Sequence, residues 1–214
     1  MLVKDRMTRN PITASPETSL YDGLKLMREN KVRRLPVIGT GGKLLGIVSE
    51  KDLLYASPSP ATTLSVWEMN SLIAKISLKD LMTKNPITVC EDCPLEEAAR
   101  VMVDNKIGGL PVMRGDTMVG IITETDLFKV FLELLGARQM GTRFTLLVPE
   151  RKGLLADMTR HVVELGGDII ALGTFLGQDP TNRLLTLKVK GVDKEELWER
   201  WSKLGIKLED VRET

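Results

Sequence analysis

The feature that most limits what this chain can fold into is a motif written twice. "MTRNPIT" at residues 7–13 returns as "MTKNPIT" at residues 82–88, 75 positions later. The register continues through Leu20 and Leu95, Met27 and Met102, Asn30 and Asn105, and Lys31 and Lys106. It also holds for the two "LPV" runs at residues 35–37 and 110–112. One residue is then lost. Gly46, Ile47, Glu50, Asp52 and Leu53 match Gly120, Ile121, Glu124, Asp126 and Leu127 at a spacing of 74. Such self-similarity means one supersecondary unit used twice, each copy covering apolar surface that the other cannot bury alone.

Each copy has the local pattern β-α-β-β-α. Asn-Pro opens a turn, and "IT" begins a short extended piece. Ser19 and Asp22 form a capping-box pattern ahead of a stripe made by Leu20, Leu24 and Met27. In the second copy Pro94 suits the first helical turn, and Leu95, Ala98, Ala99 and Met102 make the stripe. Two β-runs joined by a polar turn follow, and a second helix begins at Glu50 and again at Glu124. The expected arrangement packs the two sheets together about a pseudo-twofold axis.

Residues 57–63 ("SPSPATT") read as a linker. A helical pattern then places Leu64, Trp67, Leu72 and Ile76 against the module's edge. From residue 142 the rhythm changes to β-α-β-β-α-β, the ferredoxin-like split βαβ order. Its first helix carries Leu154, Leu155, Met158, Val162 and Leu165 and stops at Gly166-Gly167. Its second starts at Asp193, with Glu196 as box partner and Leu197, Trp201 and Leu204 on one face. The fold class is therefore mixed α+β, with a first repeat and linker at 1–63, a second repeat with its preceding helix at 64–137, and a C-terminal domain at 142–214.

Charge narrows the function. The 214 residues carry a formal net charge of +1, and only 4% are aromatic. Neither a basic stripe nor a stacking platform for nucleic acid is written here. The first residues lack a signal-peptide core, and no apolar run is long enough to span a bilayer. The expectation is a cytoplasmic protein that binds neither membrane nor nucleic acid.

The repeated endings "GIVSEKDL" and "GIITETDL" have two readings. Ser49 with Asp52, and Thr123 with Asp126, have the spacing of helix capping boxes. The same geometry also suits a ligand. A hydroxyl at a strand-to-helix junction lies beside free backbone N–H groups that attract phosphate. A carboxylate one turn later can accept two hydrogen bonds from a ribose diol. Lys31, Arg33, Arg34 and Lys51 supply nearby cations. Cys90 and Cys93 flank two acids that would raise the thiol pKa values, and no further zinc ligands stand near them. They read as a turn leading into a helix, in place of Ser15 and Thr18; redox or enzymatic chemistry at the pair is the alternative. His161, alone in mid-helix, reads as surface or packing. No nucleophile with a base, paired acids or P-loop is present.

With these motifs stated, residues 2–136 resemble the tandem CBS domain, or Bateman module. The resemblance covers both "MT-x-NPIT" openings, both "LPV" runs and both "[ST]-x-x-D" endings. Residues 142–214 resemble an ACT domain, and the CBS–CBS–ACT order is similar to the AcuB-like acetoin utilization regulators. The resemblance implies a regulatory, non-catalytic homodimer that binds an adenosine nucleotide (AMP, ADP, ATP or a relative) in the clefts between repeats and acts on a protein target. It implies that Asp52 and Asp126 hold ribose, and that Ser49 and Thr123 contact phosphate or ribose. Thr13 and Thr88 would line the adenine pocket, and Arg33 and Arg34 would bind phosphate. For the ACT-like part it implies a dimerisation surface or a small-effector loop at Glu150, Arg151, Lys152, Gly153 and Leu154. Arg33-Arg34 is Gly108-Gly109 in the second copy, so the two sites should bind charged nucleotides unequally, whichever carboxylate the arginines face.

Overall fold

The computed structural model describes residues 1–57 and 76–214. The helix expected around Leu64, Trp67 and Leu72 lies outside the described residues. The chain divides into two compact units, Met1–Leu127 and Phe128–Thr214.

The first unit holds both repeats. Copy one contributes β1 (Thr8–Arg9), α1 (Leu20–Glu29), β2 (Arg34–Ile38), β3 (Leu44–Ser49) and α2 (Glu50–Ala56). Copy two contributes α3 (Leu78–Leu81), β4 (Thr83–Lys84), β5 (Val89–Cys90), α4 (Leu95–Asn105), β6 (Gly109–Arg114), β7 (Thr117–Thr123) and α5 (Glu124–Leu134), whose last turns enter the second unit. Ser19 caps α1, its Oγ accepting from the Asp22 amide at 3.1 Å. Leu20 and Met27 on α1 meet Leu35, Val37, Val48 and Leu53 in a core that also takes in Leu78 from the other copy.

The opening strands are exchanged between copies, which local sequence does not announce. β1 pairs antiparallel with β7, Thr8 opposite Ile121 and Arg9 opposite Gly120. β4 pairs with β3, Thr83 opposite Ile47 and Lys84 opposite Gly46. The sheets are therefore β2-β3-β4 and β1-β7-β6-β5. Each copy's "MT" strand covers the sheet edge of the other, where unpaired N–H and C=O groups would face water. The glycines of the repeated endings make this possible. A Cβ on Gly46 would lie 2.6 Å from Met82 Sδ and 2.8 Å from the Thr83 carbonyl. A Cβ on Gly120 would meet Met7 Sδ at 2.6 Å and the Thr8 carbonyl at 2.9 Å.

The second unit has β8 (Thr142–Pro149), α6 (Leu154–Glu164), β9 (Asp168–Leu176), β10 (Asn182–Lys190), α7 (Lys194–Ser202) and β11 (Lys207–Glu213). The sheet order is β11-β8-β10-β9, antiparallel throughout. That is the split βαβ arrangement expected from the sequence. Phe144, Leu146, Leu185 and Leu187 meet Met158, Val162, Leu197 and Trp201 in its core. Trp201 stands edge-on to Phe144 with centroids 5.0 Å apart, and its Nε1 donates to the Met158 carbonyl at 3.3 Å. Asp193 caps α7 through the Glu196 amide at 2.9 Å. The Glu196 side chain does not complete the expected box; it pairs with Arg200 one turn on, at 3.2 Å.

Candidate functional site

The site begins at the end of β3. Ser49 keeps extended backbone, which turns its side chain to the first turn of α2. Its Oγ donates to Asp52 Oδ2 at 2.7 Å and accepts from the Asp52 amide at 3.3 Å. The Ser49 amide donates to the same Oδ2 at 2.8 Å. Thr123 and Asp126 repeat this at the end of β7, with the hydroxyl at 2.7 Å and the amide at 3.1 Å. The Ser49 box is complete, and at Thr123 both the amide and the hydroxyl donate to the Asp126 carboxylate as a box requires. Capping occupies one carboxylate oxygen of Asp52, and the Asp52 Oδ1 carries no hydrogen bond among the described residues.

Asp52 and Ser49 line a cavity of about 540 Å³ shared by the two copies, within the usual range for small-ligand sites. Copy one supplies Ile47, Lys51, Arg33 and Arg34. Copy two supplies Asn85, Pro86 and Ile87 from its "NPI" segment, and Lys106, Ile107, Gly108 and Gly109 from the passage between α4 and β6. Glu50 and Glu124 complete the acidic side. The lining thus combines apolar side chains (Ile47, Pro86, Ile87, Ile107) with charge of both signs.

Two lining residues hold left-handed backbone, Asn85 at φ 49° and Lys106 at φ 55°. Lys106 is the C-cap of α4. Asn10 and Lys31, their counterparts in copy one, have φ 48° and 54°. Non-glycine residues seldom adopt this region, and such positions gather at sites where a segment must be aimed.

The site residues expected from sequence divide clearly. Arg33, Arg34, Ser49 and Asp52 come together in this cavity. The arginines therefore face the pocket of Asp52, the question the sequence left open. Thr88 is exposed and sits just past Ile87, outside the lining. Thr13 is exposed on copy one, and Thr123 and Asp126 form the equivalent junction of copy two; none of the three lines this cavity. Sequence reasoning missed Asn85, Lys106 and Glu124, although all three belong to matched positions of the repeat.

Arg34 is half-buried, and burial pulls its pKa below the usual arginine value. Glu124 acts in the opposite direction, and neighbouring Arg33 adds to the lowering. The Gly108-Gly109 pair receives this side chain. A Cβ on Gly109 would lie 3.1 Å from Arg34 Cδ, and one on Gly108 would collide with Arg34 Nη2. The glycines are thus the seat of copy one's arginine rather than simply a lost basic pair.

Cys90 and Cys93 are joined as a disulfide, a pairing the sequence reading did not make. The bond closes the turn before α4, away from the cavity lining. Among the described residues no group of His, Cys, Asp or Glu could hold a metal ion, and no helix is long and apolar enough to cross a membrane. In the second unit Glu150 pairs with Arg183 at 2.5 Å and Arg151 with Asp157 at 3.2 Å. Lys152 is exposed, Gly153 opens α6 at φ 83°, and Leu154 belongs to the core at 3% exposure. His161 is half-buried on α6, and its Nδ1 has no hydrogen-bond partner among the described residues.

Comparison with known proteins bears on the first unit. The family model described as "CBS domain" matches residues 3–59 and 78–133. The structure of an acetoin utilization protein (AcuB) from Vibrio cholerae is 35% identical with a TM-score of 0.54, over 65% of this chain and 96% of that one. The CBS domain pair of protein MJ0100, in complex with 5′-methylthioadenosine and S-adenosylmethionine, is 30% identical with a TM-score of 0.52, over 65% and 98%. CBSX2 from Arabidopsis thaliana, in complex with AMP, is 34% identical with a TM-score of 0.51, over 61% and 96%. The family match ends at residue 133, ahead of the C-terminal sheet.

Proposed function

The chain belongs to the CBS domain family, and on that premise we propose that it is a regulatory, non-catalytic protein that senses an adenosine nucleotide between its two repeats. The observation that carries this reading is the cavity of Asp52. It joins a ribose-type acceptor at a strand-to-helix junction, four cations and apolar side chains in one open cleft. Asp52 accepts ribose hydroxyls through the oxygen that capping leaves over, beside Ser49. Arg33, Arg34, Lys51 and Lys106 take phosphate. Ile47, Pro86 and Ile87 hold the purine. AMP in CBSX2 and the adenosine-type ligands of the MJ0100 pair support this ligand class.

Thr123 and Asp126, with Thr13, form the second and unequal site, and Thr88 borders the first. Residues 142–214 act as an ACT-like domain for dimerisation or for a small effector at residues 150–154, and the homodimer reports to a protein target. The split βαβ order of the second unit is consistent with that domain type.

The test is thermal stability with AMP, ADP, ATP and S-adenosylmethionine, on the wild type and on Asp52→Ala with Asp126→Ala. A ligand at a hundred times its Kd stabilises the folded chain by about 2.7 kcal/mol. Stabilisation lost in the double variant is the expected result. A shift that survives both substitutions sinks the site assignment.

A further inference from the structure

The seat of Arg34 carries one group that the ligand reading leaves unused. Glu124 begins α5, and its Oε2 would lie 2.5 Å from a Cβ on Gly108. Arg34 Nη2 crowds the same point from the other copy. A cation and an anion from different repeats thus converge over one glycine, inside the cavity that also holds Asp52.

The repeat makes the arrangement one-sided. Glu124 matches Glu50, so the acid is present in both copies, whereas the arginine pair is present in only one. Around the cavity four cations (Arg33, Arg34, Lys51, Lys106) face three acids (Glu50, Asp52, Glu124). Asp52 is engaged by Ser49 through its amide and hydroxyl. Glu124 is the carboxylate whose attraction opposes the lowering of the Arg34 pKa.

We propose that Arg34 and Glu124, brought together over Gly108, form the charge-selectivity element of the cleft: Arg34 draws a phosphate in and Glu124 opposes it. This rests on the adenosine-ligand reading above and adds a residue to it. A half-buried arginine needs a counter-charge. A phosphate supplies that charge with bidentate geometry, but it must approach a carboxylate already facing the same guanidinium. Like charges a few ångströms apart in a partly enclosed site repel strongly enough to change affinity by an order of magnitude. Glu124 therefore sets how much negative charge the cleft tolerates, and a neutral adenosine ligand is largely indifferent to it.

The experiment is calorimetric titration of the full chain with AMP and with the neutral analogue 5′-methylthioadenosine, read as the ratio of the two affinities. Glu124→Gln, near-isosteric, should raise the AMP preference about tenfold. Arg34→Gln should lower it. With Arg34→Gln in place, Glu124→Gln should move the ratio far less, because the two groups act on one phosphate. Binding of both ligands with a ratio that Glu124→Gln leaves alone or lowers overturns this inference and leaves the adenosine reading standing. Failure of the wild type to bind either ligand overturns that reading and this inference with it.

Discussion

Gly46 and Gly120 show how single residues hold the two repeats together. Each sits where the "MT" strand of the other copy crosses its sheet, within 3 Å of a methionine sulfur and a threonine carbonyl once a Cβ is imagined on it. The methionine could swing away, but the carbonyl belongs to a strand paired through Thr8 or Thr83 and cannot. Overpacking of this kind costs about 1–3 kcal/mol. Gly46→Ala should lower the denaturation midpoint by that amount in urea titration. A loss below about 0.5 kcal/mol would show that the crossing strand gives way freely, and that the glycine has another reason.

At the scale of the element, the turn before α4 shows what a repeat preserves when its chemistry changes. In copy one Ser15 and Thr18 close this turn by hydrogen bonds, the Ser15 amide donating to Thr18 Oγ1 at 3.2 Å. In copy two a disulfide closes it. The backbone contacts made onto the two turns are the same. The Val3 amide donates to the Cys93 carbonyl at 3.0 Å, as Leu78 does to Thr18 at 2.9 Å. The Lys4 amide donates to Glu91 at 2.9 Å, as Lys79 does to Pro16 at 3.0 Å. Converting the pair to its copy-one equivalents, Cys90→Ser with Cys93→Thr, should therefore leave fold and ligand binding in place. Because the closed loop is short, the loss should be no more than about 2 kcal/mol in thermal unfolding. A collapse of ligand binding in that variant would make the disulfide part of the function.

The same turn is sensitive to acid. Glu91 is buried at 8% exposure and pairs bidentately with Arg114, whose Nη2 lies 2.8 Å from Oε2. The hydrogen bond from Arg114 holds the Glu91 pKa below its ordinary value of 4.5, against the opposing effect of burial. Since the folded value is depressed, the pair stabilises fully above pH 4.5, and that contribution is lost as pH falls through the folded value. Glu91→Gln should flatten the stability curve between about pH 5 and pH 3, measured by urea titration at each pH. An unaltered slope would mean that other carboxylates, such as Asp80 with its own depressed pKa beside Ser77, carry the acid response.

For the whole molecule, symmetry and its breach are the organising facts. The exchanged strands, the hydroxyl-to-carboxylate contacts of Ser49 with Asp52 and Thr123 with Asp126, and the matched left-handed residues at 10 and 85, and at 31 and 106, all obey the repeat. The charges around the cleft do not. Lys51 becomes Thr125, and the arginine pair becomes the glycines that seat it. Two sites built on one backbone plan should then differ in their response to phosphate. Titration with AMP should resolve two unequal steps, the tighter of them lost in Asp52→Ala. One step with two identical sites would count against that division.

Much of this was legible in advance. The repeat gave both strand–helix junctions, and Ser49, Asp52, Thr123 and Asp126 stood out because capping is local, written within four residues. The β-α-β-β-α-β order of residues 142–214 was readable for the same reason, from periodicity, Asp193 and the glycines at helix ends. Lys106 and Glu124 stood at matched positions of the repeat, but a match within one copy does not say that its side chain lines a cleft begun by the other.

What the sequence by itself determined was therefore the module: two copies of one unit, their capped helices, and a different C-terminal fold. What only the tertiary structure decided was which copy completes which cleft. Strand exchange, the placing of Arg34 over Gly108, and the meeting of Asp52 with the other repeat's "NPI" segment all join residues more than 30 apart in the chain, Thr8 and Ile121 the farthest. Contacts at that separation are selected by edge pairing and close packing of the finished fold, where a missing Cβ in one copy makes room for a charge from the other.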